Sequence, residues 1–244
     1  MRNLAAFLAI ALTLCSVMAG CAPKGEELEV SQILWSGSKV TSYVIQTHDG
    51  NEIGSANVSI SQNTDTYTLT CHQIVGQMTD DIIIEVDAKS LKPVAETRTL
   101  SIPPGGQIPE GVWEITVNYS ADKLVVEADT PKGHQGPAEA SLPQDAYAND
   151  ELLFLLFRTL PFEEGYFAHF SNIVIWPNVQ MPKCTISVVG KEDVETPEGI
   201  LEAWKLELKV AGQKQYFWYA VEKPNYLVKY VNGYSIFSLQ EIVK

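Results

Sequence analysis

Cysteine and histidine are the residues of this chain best suited to chemistry, and their spacing predicts no catalytic or metal site. The four histidines, His48, His72, His134 and His169, are scattered without the close spacing of zinc ligands. Cys71 and His72 are neighbours on a predicted strand, so their side chains point to opposite faces and cannot act as nucleophile and base. The chain also lacks a Gly-x-Ser-x-Gly elbow, a Gly-rich phosphate loop and a His-Glu-x-x-His motif. We therefore expect no enzyme activity, no metal and no cofactor.

Cys21 is the cysteine whose surroundings indicate a modification. It follows a positively charged start, an almost wholly apolar run over residues 4–18 and the small pair Ala19-Gly20. This order is typical of an export signal, and the run is shorter than the roughly 20 apolar residues of a membrane-spanning helix. The stretch VMAGC resembles the bacterial lipoprotein box, which implies that Cys21 is acylated and becomes the mature N-terminus. The alternative is an accidental cysteine in a plain secretory signal.

An acylated Cys21 would determine where the protein is located. Each buried CH₂ contributes about 0.8 kcal/mol, so several acyl chains hold a protein firmly on a membrane. The predicted organisation is a signal peptide over 1–20, a flexible tether over 21–30 and a single β-rich domain over 31–244. We expect an exported protein of the cell envelope with an extracytoplasmic domain. It would be anchored to the cell membrane or, in a host with two membranes, to the outer membrane, since Ala22 in place of Asp after the cysteine resembles the pattern of lipoproteins sorted to the outer membrane.

The charge balance limits the partners. The chain has 17 basic and 30 acidic residues, a formal net charge of −13. Such a surface repels phosphate backbones, and no basic patch is interleaved with aromatic residues, so we expect no nucleic-acid binding. The same charge argues against attraction to anionic lipid by charge alone.

The remaining pattern predicts a mainly β fold. From Ile33 onward apolar and polar residues alternate with period two between turn clusters, which predicts an antiparallel meander. The stretch 149–161 breaks this pattern and predicts one helix of about three turns that is buried on every side from Leu152 to Leu160. Arg158, near its end, would neutralise the helix C-terminus or meet a ligand carboxylate or phosphate. The expected fold is a curved sheet or half-open barrel with one buried helix.

One predicted strand is apolar on both faces, which suggests a ligand cavity. Tyr216 and Trp218 lie on one face of this strand, and Phe217 and Tyr219 lie on the other. We expect the helix to cover it and to leave an apolar cavity, while the alternative is an interior filled by interlocking side chains. The side chains predicted to line the cavity are Phe154, Phe157, Tyr216 and Trp218.

Cys71 and Cys184 would be the two thiols of the mature chain without an acyl group. Both lie on predicted strands, and an exported compartment permits a disulfide. Two buried thiols are the alternative, and sequence leaves the choice open because it does not show whether the two Cα atoms lie within about 7 Å.

Several turn and packing motifs span most of the mature chain and resemble the bacterial exported family named domain of unknown function 3108. They are the hairpin YVIQTHDGNEIGSANVSI, a corner with Asp87, Leu91 and Pro93, the helix exit LFRTLPFEEGY, a second corner with Val194, Pro197, Gly199 and Ala203, and the aromatic strand at Trp218. The resemblance implies a β-rich exported protein related in shape to lipoprotein-carrier half-barrels, without an assigned activity. Our functional hypothesis is a non-enzymatic lipoprotein that binds an apolar small molecule or lipid. The alternative is a structural or adaptor lipoprotein that binds another envelope protein.

The anchor can be tested directly. Replacing Cys21→Ser should abolish acylation and move the protein from the membrane fraction to the soluble exported fraction, because the acyl chains would supply the membrane attachment. Fractionation of cells followed by mass spectrometry of the mature N-terminus measures both effects. A variant that stays with the membrane would contradict the lipoprotein interpretation of VMAGC.

Overall fold

The structure is a computed structural model, and it describes residues 25–30, 33, 39–106, 108–148 and 151–243. The strands in this part of the chain are β1 (Glu26–Glu27), β2 (Lys39–Gln46), β3 (Glu52–Gln62), β4 (Thr66–Val75), β5 (Met78–Asp87), β6 (Pro93–Ile102), β7 (Gly111–Tyr119), β8 (Lys123–Thr130), β9 (Gly133–Ser141), β10 (Ala146–Ala148), β11 (Phe167–Ile173), β12 (Lys183–Thr196), β13 (Gly199–Val210), β14 (Gln213–Ala220), β15 (Leu227–Val231) and β16 (Ile236–Val243). The helix α1 covers Glu151–Leu156 and continues as a 3-10 turn over Phe157–Thr159.

All sixteen strands belong to one curved sheet. Two antiparallel meanders, β2 to β9 and β11 to β16, are joined where β16 pairs with β2. Strand β9 lies at one edge, and β1 and β10 share the other edge by pairing in parallel with successive parts of β11. The mainly β architecture with a curved antiparallel meander, predicted from the sequence, is confirmed.

The alternation of side chains along the strands separates an inner face from a solvent face. In β5, for example, Ile82, Ile84 and Val86 are buried, while Asp81 and Ile83, which alternate with them, are exposed. Successive side chains of a strand point to opposite faces, so each such strand covers the core on one side. The period-two pattern of such a strand therefore separates its two faces.

Helix α1 lies inside the curved sheet and links β10 to β11. Parallel strands need a crossover connection, and α1 supplies it. Every side chain from Leu152 to Leu160 is buried, as predicted. The α-helical part is shorter than the predicted three turns, because the last turn tightens to 3-10 and Leu160 is already extended before Pro161.

Aromatic rings fill the space between α1 and the sheet. The ring centroid of Phe154 lies 5.2 Å from that of Tyr230, and the Phe157 centroid lies 5.0 Å from Phe217 and 6.0 Å from Phe170. The contacts of Phe157 are edge-to-face, an arrangement that adds about 0.5 to 1.5 kcal/mol per pair beyond the area that it buries. The interior around the helix is thus a packed core.

The chain after the predicted anchor is part of the sheet. Glu26 and Glu27 pair in parallel with β11, and the Leu28 amide donates to the His169 carbonyl at 2.9 Å. Leu28 is only 2% exposed. Residues 26–28 of the segment predicted to be a flexible tether are therefore docked on the domain, because Leu28 finds an apolar site there. The predicted signal peptide and Cys21 lie outside the described residues.

The packed core predicts a large effect for one substitution. Phe157→Ala should lower the free energy of unfolding by about 3 to 5 kcal/mol, because Phe157 is fully buried between other aromatic rings. Ile200→Ala is the control, since Ile200 is 67% exposed and should change stability by less than about 0.5 kcal/mol. Urea unfolding followed by circular dichroism measures both values, and equal stabilities would contradict the packing described.

Candidate functional site

A small cavity lies between the beginning of β2, the strands β3 and β4, helix α1 and the β14–β15 turn. Its volume is about 30 Å³, which holds about two water molecules. It has an apolar wall, mostly from β3, β4 and α1, and a polar wall from the other elements. The side chains that matter for its chemistry are Lys39, Thr41, Tyr43, Phe154, Arg158 and Tyr226.

Two cationic side chains flank Tyr226 at this cavity. Arg158 is 7% exposed, and its guanidinium donates to the Pro224 carbonyl at 2.8 Å and lies 5.3 Å from the centre of the Tyr226 ring. Lys39 Nζ donates to the Tyr226 hydroxyl at 2.6 Å. Burial lowers the pKa of Arg158, but an arginine stays protonated in proteins. The cavity therefore has a fixed positive charge.

Two buried phenols are neutral here: Tyr43, which lines the cavity, and Tyr219, which contacts helix α1 near it. The Tyr43 hydroxyl donates to the Leu227 carbonyl at 3.1 Å, and the Tyr219 hydroxyl lies 3.2 Å from the Phe154 carbonyl of α1. Burial raises the pKa of Tyr43 and of Tyr219 well above the ordinary value, so both stay neutral. Among the described residues that line the cavity, Lys39 and Arg158 are the charged ones. The site is positive within a chain of net charge −13.

A wider groove opens at the same end of the sheet. It has a volume of about 640 Å³ and lies between the tip of the β12–β13 hairpin, the β14–β15 turn and the end of β16. Tyr226 contributes to both the cavity and the groove. Acidic residues and Lys223 stand at its rim, while its apolar lining comes from Ile200, Leu201, Val221, Val228, Leu239 and Ile242.

The structure separates the four side chains predicted to line one cavity. Phe154 lines the small cavity, and Phe157 is enclosed in the aromatic core. Tyr216 and Trp218 lie on the opposite, outer face of the sheet, so helix α1 does not reach them. The prediction that these four side chains border a single cavity is wrong. Phe157 instead fits the alternative prediction, an interior filled by interlocking side chains.

Charged side chains cover the outer-face aromatic residues. Trp218 Nε1 donates to Glu192 at 2.9 Å, and Lys205 Nζ lies 5.2 Å from the ring centres of both Tyr216 and Trp218. The hydrogen bond from Lys205 lowers the pKa of Glu192. Long lysine side chains can shield apolar surface while the amino group stays in water, which explains why this strand needs no second layer.

The sequence interpretation missed most of the site. Lys39, Tyr226 and the groove residues come from elements that are far apart in the chain, and Tyr226 lies 187 positions after Lys39. Period-two alternation does not show which distant residues meet. Arg158 beside an all-apolar helix was the available signal. It lies in the last turn of the helix and also lines the cavity, so its position is compatible with both roles predicted for it.

The other chemistry-bearing residues form no second site in the part of the chain that the structure describes. His72 pairs with Asp81, and His134 lies 2.9 Å from Asp129, both on exposed strand surfaces. No group of three or more possible metal ligands occurs among the described residues. Within the same residues, no helix has the length and hydrophobicity needed to cross a membrane.

The two thiols predicted either to pair or to stay reduced are both buried. Cys71 lies on β4 and Cys184 on β12, and the structure has both as thiols. Gln73 donates to Cys71 Sγ at 3.6 Å, and Cys184 Sγ donates to the Pro182 carbonyl at 3.5 Å. Burial raises the pKa of Cys184 to about 11, so its thiolate is scarce at neutral pH.

Comparison with known proteins identifies the family. The family described as Protein of unknown function (DUF3108) matches residues 39–232, and the chain belongs to that family. Two solved structures are similar to the chain at low identity. One is an inferred exported protein with a YmcC-like fold from Bacteroides fragilis, with 12% identity, a TM-score of 0.28 and coverage of 88% of this chain and 100% of that one. The other is an inferred lipoprotein from Parabacteroides distasonis, with 9% identity, a TM-score of 0.31 and coverage of 88% and 99%. No curated protein matches significantly.

The burial of the thiols leads to a simple prediction. Native protein should not react with a thiol-alkylating reagent at Cys71 or Cys184, and unfolded protein should react at both, because the native side chains are 1% exposed. Intact mass spectrometry counts the alkyl groups, and the Cys71→Ala variant identifies one of the two sites. A melting temperature that falls on adding a reductant would contradict the two-thiol state.

Proposed function

We propose that this protein is an exported, lipid-anchored protein without enzymatic activity, whose domain binds an apolar molecule that carries an anionic head group. The proposal is based on one observation: Tyr226 lines both the apolar groove and the positively charged cavity, so the two adjoin. The expected anchor is an acylated Cys21, on the cell membrane or the outer membrane. The domain would then work beside a lipid surface.

The groove suits the apolar part of such a molecule. Its volume of about 640 Å³ falls within the range of about 300 to 1,000 Å³ that is typical of ligand pockets. Aliphatic side chains from three separate parts of the sheet line it, which favours a hydrocarbon chain over a polar substrate. The cavity of about 30 Å³ is too small for such a chain. It would therefore receive the head group only.

The cavity suits a carboxylate or a phosphate. The Arg158 guanidinium supplies a fixed positive charge while its Nε and Nη2 donate to the Pro224 carbonyl, and Lys39 adds a second charge across Tyr226. Hydrogen bonds between charged partners are about twice as strong as those between neutral groups, and more so at a site shielded from water. A fatty acid and a phospholipid share this chemistry, and binding measurements with each distinguish them.

A second function is favoured by a different observation. The aromatic core is filled, and Ile200, at the tip of the β12–β13 hairpin, is 67% exposed. A filled interior with exposed apolar side chains is what we expect of an adaptor that binds another envelope protein. In that case the groove would hold side chains of the partner and not a lipid.

Titration of the full chain tests the first function. The unacylated Cys21→Ser protein is titrated with an environment-sensitive fluorescent fatty acid, and then with a fluorescent phosphatidic acid. We expect saturable binding of one of the two probes. Lys39→Gln should raise its Kd about tenfold or more, because one charge-assisted hydrogen bond is lost.

The matched control is Lys205→Gln, which removes a lysine from the outer face of the sheet, where it contacts Trp218. Its Kd should equal that of the parent protein. Circular dichroism shows whether each variant is folded. The proposal would be contradicted if the folded parent protein showed no saturable binding, or if the two lysine variants changed the Kd equally. Either result would favour the adaptor function.

A further inference from the structure

The strand registers identify the end of the sheet at which the groove opens, which we call the groove end. Ser187 of β12 pairs with Phe167 of β11, and β12 continues from there to Thr196, at the hairpin tip beside the groove. Phe167 is the first residue of β11, so β11 runs away from the groove end. The hairpin tip, the β14–β15 turn and the beginning of β2 at Lys39 all lie at the groove end.

The N-terminal strand has the same direction as β11. Glu26 pairs with Ala168 in a parallel register, so β1 also runs away from the groove end. The chain therefore enters β1, at Gly25, from the side of the groove end. The docking of β1 is firm because Leu28 is buried and its amide donates to the His169 carbonyl at 2.9 Å.

The anchor can lie only a short distance from this entry point. Gly25 lies four positions after Cys21, and a fully extended chain spans about 15 Å at most over that separation. By contrast, β12 continues nine residues beyond Ser187, a projection of about 30 Å at the usual rise per residue. The hairpin tip therefore extends further than the anchor reaches. Both can meet one flat membrane only if the sheet is inclined, with its β1 edge toward the membrane.

The charges on this side determine which lipid surface it fits. Glu26, Glu27 and Glu29 lie around β1, and Glu195 and Glu198 flank the hairpin tip; all five are exposed. Lys39 and Lys223 also lie at the groove end, but the five carboxylates outnumber these two lysines, so a bilayer of anionic head groups would be repelled while a single anionic head group can still reach the cavity. The apolar side chain at the tip is Ile200, whose exposure of 67% leaves it available to enter the boundary between head groups and acyl chains.

From this geometry we propose that the docked β1 orients the domain on the membrane, with the groove end and Ile200 facing a bilayer of uncharged, zwitterionic head groups. The inference rests on the anchor of the proposed function and deepens it, because it identifies the lipid surface as the partner of the groove end. The groove then opens toward the membrane and not toward the surrounding solution.

Fluorescence quenching tests the orientation. The acylated full chain carries an environment-sensitive label at Ile200→Cys and is reconstituted on phosphatidylcholine vesicles that contain quencher-labelled lipid. The matched control is Tyr234→Cys, since Tyr234 is 82% exposed and lies in the β15–β16 turn at the opposite end of the sheet. Cys71 and Cys184 are buried and should not take the label. We expect at least twofold stronger quenching at position 200 than at position 234.

Two further variants determine whether the short anchor is the cause. A flexible insertion of twenty residues between Lys24 and Gly25 should remove most of the difference, and so should adding anionic phosphatidylglycerol to the vesicles. Equal quenching at the two labels, or a difference that the insertion leaves unchanged, would overturn the orientation. Failure of the protein to float with the vesicles would overturn the anchor itself. Failure to bind either the fatty-acid probe or the phosphatidic-acid probe in solution would overturn the ligand and leave the orientation result standing.

Discussion

The pairing of the last strand with the second is the constraint on which the whole structure depends. The chain forms two meanders, and the register that places Ile242 opposite Thr41 joins them into one sheet. This pairing brings the beginning of β2, where Lys39 lies, beside the end of β16, where Ile242 lines the groove. Without it the cavity and the groove would belong to separate sheets. The candidate site is therefore a product of a contact between the two ends of the domain.

Helix α1 is the second element on which the structure depends, because the inner face of a wide curved sheet must be covered. The helix is apolar all round and lies where Phe154 and Phe157 meet rings from β11, β14, β15 and β16. Cores pack at nearly crystalline density, so this filling leaves only a small space beside Arg158. The same helix that fills the interior of the described part of the sheet thus positions the buried cation. A ligand would lie across the end of the core and not within it.

The elements that sequence predicts well are those whose side chains alternate or cluster by burial. Strands such as β5 and β13, and the buried segment from Leu152 to Leu160, follow from local pattern alone. Strand β9 carries no such local signal, because nearly all of its residues are exposed and it contains Gly136 and Pro137, which are unfavourable in strands. Strands β1 and β10 were missed because each is only two or three residues long and exists through its contact with β11.

The prediction of the site residues failed for a different reason. The local pattern of a strand separates its two faces but does not show which face lies inside. Alternation correctly separated Tyr216 and Trp218 from Phe217 and Tyr219, and the structure shows that the second pair faces α1. Aromatic character does not distinguish the pairs, whereas the neighbours in register do. Trp218 lies opposite Lys205 and Lys229, and Phe217 lies opposite Leu206 and Tyr230. An aromatic residue whose neighbours on the adjacent strands are charged lies on the outer face of the sheet. The charge of these neighbours is therefore a better guide than aromatic character to which aromatic residues face the interior.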